Sequence, residues 1–140
     1  MAYIDTSLLV AYYCPETFSR AAQHEVDKDA DPTISQLTQV EFCSALGTKV
    51  RTGEMAAEAA RRVLACFRMH CSDGDYRIVH IGSREYAAAS EWLATLTTPL
   101  RTLDALHLAA AFANGLTLVT ADKDLAKAAG HFGVKHKLVS

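Results

Sequence analysis

The chain has 140 residues, 50% of them hydrophobic, with 14 basic and 16 acidic side chains and a formal net charge of −2. That is the length and composition of one folded globular domain, and it excludes a disordered chain. A pI near 6.3 excludes the bulk positive charge of a non-specific nucleic-acid binder. No apolar run reaches membrane-spanning length, and Asp5 interrupts a stretch that a signal peptide would keep uncharged, so the chain reads as cytoplasmic and independent of membranes.

Residues 1–5 read as a first strand, with Tyr3 and Ile4 at its apolar centre. Asp5-Thr6-Ser7 then opens an apolar helix over 8–13, which Cys14-Pro15 stops. A strand ending in Asp5 puts a carboxylate on the carboxyl edge of a sheet; the simpler role for Asp5 or Ser7 is a helix N-cap. Residues 16–28 suit a second helix, with Phe18, Ala21, Ala22 and Val26 as its apolar face. Asp27, Asp29 and Asp31 read as a solvated acidic turn. A short strand is expected over 32–35.

A long helix is expected over 36–50, with Leu37, Val40, Ser44 and Ala45 on one face. Glu41 falls on that face, and a glutamate is rarely buried unless it is paired or binds a metal. Arg51-Thr52-Gly53 breaks this helix, and 54–71 forms another. Lys49, Arg51, Arg61 and Arg62 gather at the hairpin between them. A solvated face is the simpler account of these residues; a grip on a phosphate backbone is the functional one.

Residues 72–75 form a turn, 76–81 a strand and 83–96 a helix. The most apolar helix spans 102–113, with Thr102 as N-cap and Asp104 in the first turn. The helix dipole alone would favour an acid there by about 0.3–1 kcal/mol. His107, one turn on, suits a satisfied core histidine better than a ligand or a base. Asn114-Gly115 closes the helix. Residues 116–120 make a short buried strand, Asp122 and Asp124 follow, and a helix runs through 125–129 with Gly130 near its end. Asp122 either caps that helix or stands on the sheet edge, while Asp124 reads as a solvated helix residue. A strand over 134–139 ends the chain. Cys14, Cys43, Cys66 and Cys71 contain no C-x-x-C pair and read as reduced, mostly buried thiols.

Strands and helices alternate without repeat or linker, so 1–140 is expected to be a single α/β domain with a largely parallel sheet. Asp5 and Asp122 follow strands, Asp104 opens a helix and Glu41 points inward. Two carboxylates about 4 Å apart repel by roughly 4 kcal/mol at an effective dielectric of about 20, so gathering several requires protons or cations. Oxygen donors without a histidine or cysteine set match Mg²⁺ or Mn²⁺ rather than zinc. Magnesium keeps waters, one of which can attack a phosphodiester.

Four stretches, in this order and at these separations, resemble the PIN domain family and, within it, the VapC-type toxins of toxin–antitoxin pairs. They are Tyr3-Ile4-Asp5-Thr6-Ser7, Gln39-Val40-Glu41-Phe42, Leu103-Asp104-Ala105-Leu106-His107-Leu108-Ala109 and Leu118-Val119-Thr120-Ala121-Asp122. The resemblance covers nearly the whole length. It implies a three-layer α/β/α sandwich around a mostly parallel sheet of four to five strands, the first and fourth adjacent. It also implies a Mg²⁺- or Mn²⁺-dependent endoribonuclease in which Asp5, Glu41, Asp104 and Asp122 form an acidic, metal-holding pocket. Thr6 or Thr120 would hydrogen-bond a metal water or the scissile phosphate. A homodimer and a small cognate antitoxin protein that blocks the pocket are implied as well, with RNA binding resting on the hairpin of Lys49 to Arg62.

Other classes match less of the chain. A phosphatase of the haloacid dehalogenase type would want a second Asp where Ser7 stands. A non-enzymatic α/β receiver or scaffold with a structural cation would want a late lysine better placed than Lys123. Within the PIN family, an RNA-processing or flap nuclease is the remaining alternative, and the compact chain favours the toxin.

Overall fold

A computed structural model describes residues 1–15 and 19–140. Five strands, all parallel, form one sheet: β1 (Ala2–Ile4), β2 (Thr33–Ser35), β3 (Arg77–Val79), β4 (Thr117–Thr120) and β5 (His136–Leu138). Their spatial order is β3-β2-β1-β4-β5. The described helices are α1 (Thr6–Tyr13), α2 (Ser19–Asp27), α3 (Gln36–Arg51), α4 (Ala57–Ser72), α5 (Ser83–Ala94), α6 (Thr102–Ala113) and α7 (Lys123–His131). The expected α/β/α sandwich, with the first and fourth strands adjacent, is the architecture found.

Alternation along the central strands builds the layers. Ala2 and Ile4 of β1 and Val119 of β4 face a core made with α1 to α4, including Leu8, Leu9, Val26, Phe42, Leu46 and Phe67. Tyr3 and Leu118 face the opposite way, onto Leu108 and Ala111 of α6 and Leu125 and Ala129 of α7. A smaller cluster, with Ala89, Ala105, Leu106 and Ala109, joins α5 to α6. Both faces of β1 and β4 are thus covered, which is why these strands carry almost no polar residue between their ends.

Several expectations are corrected in detail. The core face of α3 is Thr38, Phe42 and Leu46, spaced by four; Val40 is 67% exposed. The polar Thr38 conceals this face in the sequence, because its hydroxyl is consumed in a reciprocal cap with Ser35. Helix α4 starts at Ala57 rather than at residue 54, after Gly53 turns the chain with φ +78°. The N-cap of α6 is Arg101, and Thr102 is already helical. The acidic turn is not merely solvated: Asp27 accepts the Tyr12 hydroxyl, Asp29 meets the Met1 amine and Asp31 pairs with Arg77. In α2, Ala22 and Val26 are buried as expected, and Phe18 lies outside the described residues. All four cysteines are reduced thiols; Cys14 is buried and the others half-buried. No described helix is long and apolar enough to cross a membrane.

Candidate active site

The strand order changes direction at β1. Its chain neighbour β2 lies on one side, and β4, reached after most of the sequence, lies on the other. Open α/β sheets bind ligands beyond the carboxyl ends of strands at such a point. Asp5 stands there in extended backbone, between the last residue of β1 and the first of α1. Its N–H donates to Val119 O at 3.0 Å, and its carbonyl accepts from Leu9 N at 3.1 Å. The side chain does not cap α1. Instead Asp5 Oδ2 accepts from Thr120 Oγ1 and from Ser7 Oγ, both at 2.7 Å.

Asp122 follows β4 and does cap α7, its Oδ1 accepting from the N–H groups of Asp124 at 2.9 Å and Leu125 at 3.2 Å. Its own N–H donates to Thr120 Oγ1 at 3.0 Å. The two roles set against each other for this residue therefore coexist: Asp122 caps a helix and lines the cleft. Asp104, in the first turn of α6, is half-buried. Burial, and then the charges of Asp5 and Asp122, push its carboxyl above the ordinary value, only partly offset by His107 and Arg101.

Asp5, Thr6, Ser7, Glu41, Asp104 and Asp122 share the wall of one cleft of about 520 Å³. Lys49 and Glu54, 3.5 Å apart as an ion pair, line it from the α3–α4 hairpin, and Leu103 from the start of α6. Glu41 is held differently from the three aspartates. Its Oε1 accepts from Thr6 Oγ1 at 2.7 Å and from His107 Nε2. Burial works to raise the Glu41 carboxyl, but the His107 ring and the Thr6 hydroxyl outweigh it and hold the group below the ordinary carboxylate value.

Thr120 is completely buried behind Asp5 and does not line the cleft, and Asp124 is exposed outside it. Thr120 reaches the cleft through Asp5 and Asp122, which its hydroxyl joins. His107 is indeed a buried, satisfied histidine, and the groups that satisfy it are Glu41 at Nε2 and Tyr3 at Nδ1. Sequence reasoning passed over Ser7 as a partner of Asp5 and Glu54 as a further carboxylate in the cleft. A hydroxyl two residues after the strand-ending acid was the only available signal for the first.

Among the described residues, no three histidine, cysteine or carboxylate groups lie close enough together, as they stand, to hold a metal ion. The acids surround an open cleft instead of touching. Asp5 uses Oδ2, Asp122 Oδ1 and Glu41 Oε1 for these protein hydrogen bonds, which leaves the second oxygen of each for the cleft. All these donors are hard oxygens, and their mutual repulsion is relieved by positive charge. That set fits a cation which retains much of its water, as magnesium does, and does not fit a closed tetrahedral zinc site.

A model of the PIN domain matches residues 2–131 of the sequence. The chain belongs to the PIN domain family. Solved structures with the same fold agree along nearly the whole length of this PIN domain. The FitAcB structure from Neisseria gonorrhoeae is 18% identical over 97% of this chain and 96% of that one, with a TM-score of 0.73. VapC20 of Mycobacterium tuberculosis, described as a sarcin-ricin loop cleaving toxin, is 19% identical over 91% and 95%, with a TM-score of 0.70. DNA-bound VapBC from Salmonella typhimurium is 17% identical over 98% of each chain, with a TM-score of 0.65. Among curated protein sequences, none matches this PIN domain significantly.

Proposed function

We propose that this PIN domain is a metal-dependent endoribonuclease and the toxin of a toxin–antitoxin pair. The observation that carries the reading is the convergence of Asp5, Glu41, Asp104 and Asp122 on one cleft at the β1–β4 switch point. The similarity in fold to the VapC20 toxin and to a toxin–antitoxin complex from Klebsiella pneumoniae supports the biological half of it.

Asp5, Glu41, Asp104 and Asp122 would hold Mg²⁺ or Mn²⁺ in this cleft. Such an ion supplies a nucleophilic water at neutral pH and stabilises charge on the phosphate. The protein's share is positional. Thr120 and Ser7 fix the Asp5 carboxylate, the α7 N-terminus fixes Asp122, and Thr6 and His107 fix Glu41. Lys49 stands at the same cleft and would meet the RNA backbone, with Arg51, Arg61 and Arg62 further along the hairpin. A small antitoxin protein would occupy this cleft to block it, and the active species would be a homodimer.

Purified protein should cleave RNA with Mg²⁺ or Mn²⁺, stop on addition of EDTA, and lose activity in Asp5→Asn. Induced expression of the parent in bacteria should arrest growth, and expression of Asp5→Asn should not. RNA cleavage without arrest would move the assignment to an RNA-processing nuclease. Metal binding without cleavage would leave a cation-binding module.

A further inference from the structure

Helix α6 is almost wholly apolar along its buried side, yet His107 sits in the middle of it, 1% exposed, between buried Leu106 and Leu108. Its Nε2 meets Glu41 Oε1, and its Nδ1 lies 2.6 Å from Tyr3 Oη. Tyr3 is itself wholly buried, and the same hydroxyl lies 2.8 Å from Ser35 Oγ. Ser35 is the N-cap of α3, locked by its reciprocal cap with Thr38. Glu41 lies on that helix, one turn beyond Thr38. The groups therefore form a closed circuit from the start of α3, through β1 and α6, back to α3.

The directions of the hydrogen bonds follow from the end groups. Nε2 faces a carboxylate oxygen, so it carries a hydrogen. The Thr6 hydroxyl donates to the same oxygen. Glu41 Oε1 thus has two protein donors, and its remaining oxygen, Oε2, is the one offered to the cleft. An apolar pair at positions 3 and 107 would fill the same space without the desolvation cost of two buried polar side chains, so packing alone does not account for the circuit.

We propose that Tyr3 and His107 are positioning residues of the nuclease centre, holding Glu41 in a single orientation with Oε1 saturated and Oε2 facing the cation and its waters. The proposal rests on Glu41 belonging to that centre. Partners that orient a metal-binding group are typically worth roughly 10–100-fold in metal affinity or activity.

The test is Mn²⁺ binding to the purified full chain without RNA, followed by the electron paramagnetic resonance of free Mn²⁺, alongside kcat and KM for RNA cleavage. Tyr3→Phe keeps the ring and removes only the hydroxyl. His107→Leu removes both nitrogens, and His107→Gln restores an N–H near the Nε2 position. Urea unfolding of each variant reports folding separately. Tyr3→Phe is expected to weaken Mn²⁺ binding and lower kcat, each by roughly tenfold, with KM unchanged. His107→Leu should lose more, and His107→Gln should recover most of the Mn²⁺ affinity. Folded Tyr3→Phe and His107→Leu proteins that bind Mn²⁺ like the parent, while Glu41→Gln does not, would overturn the relay and leave the nuclease centre standing. Glu41→Gln that binds Mn²⁺ and cleaves RNA like the parent would overturn the proposal at its base, by removing Glu41 from the centre.

Discussion

Thr120 donates its hydroxyl hydrogen to Asp5 Oδ2 at 2.7 Å, joining residues 115 positions apart in the chain. The same oxygen of Thr120 accepts the N–H of Asp122 at 3.0 Å. One buried hydroxyl therefore orients a strand-ending acid on β1 and the acid that follows β4. Thr120→Val keeps the shape and deletes both bonds. It should cost about 1–3 kcal/mol of stability, because a charged acceptor and a backbone donor lose their partner. Cleavage should fall by roughly tenfold, as for a lost orienting group. Urea unfolding and RNA cleavage measured on one preparation check both figures.

Asp104 is half-buried beside two other acids, and its ionised form opposes folding when no cation is present. Asp104→Asn should therefore raise the melting temperature of metal-free protein while abolishing RNA cleavage. Differential scanning fluorimetry in EDTA checks the first half. A variant that melts below the parent would show that the Asp104 carboxylate stabilises the fold by a contact stronger than the repulsion it feels.

Adding Mg²⁺ or Mn²⁺ should raise the parent's melting temperature, with the rise growing as metal exceeds its dissociation constant, about 2.7 kcal/mol at a hundredfold excess. EDTA should reverse it. Asp5→Asn should show little of the rise, and Zn²⁺ should not substitute in cleavage. The measurement is a melting series against metal concentration with each protein.

Glu25 anchors α2 to the far edge of the sheet, bonded by Lys137 of β5 and by Lys28. Its side chain is 7% exposed. Burial acts to raise its carboxyl, but the two lysines outweigh it and hold it below the ordinary 4.5. A depressed carboxylate stabilises the folded state above 4.5, and that contribution is lost as pH falls through the lower, folded value. Both lysines are about half-exposed, so solvent screening limits the effect of Glu25→Gln to roughly 1–2 kcal/mol at pH 7. Parent and variant stabilities, measured by urea unfolding across pH, should converge in acid below 4.5.

The sequence made Asp5 and Asp122 legible because a short apolar run, an acid and a helix follow one another directly, and local pattern determines such a unit. Glu41 was legible as an inward acid even though the face drawn around it wrongly included Val40. The true face depended on Thr38, whose polarity is masked by its bond with Ser35. The pairing of Glu41 with His107 was not legible. It joins residues 66 apart whose meeting depends on how α3 and α6 dock against β1, and no local spacing encodes that. Thr120 was recognised as important but assigned to solvent-side chemistry, since depth behind a strand end is a property of the packed sheet.

The strand order β3-β2-β1-β4-β5 has a consequence for biosynthesis. The ribosome emits Asp5 and Glu41 first, but β4, whose arrival beside β1 brings Asp122 to the same cleft, is synthesised only after α6. A nascent chain that has not yet extended past Asp122 therefore cannot bring its acids together around one cleft.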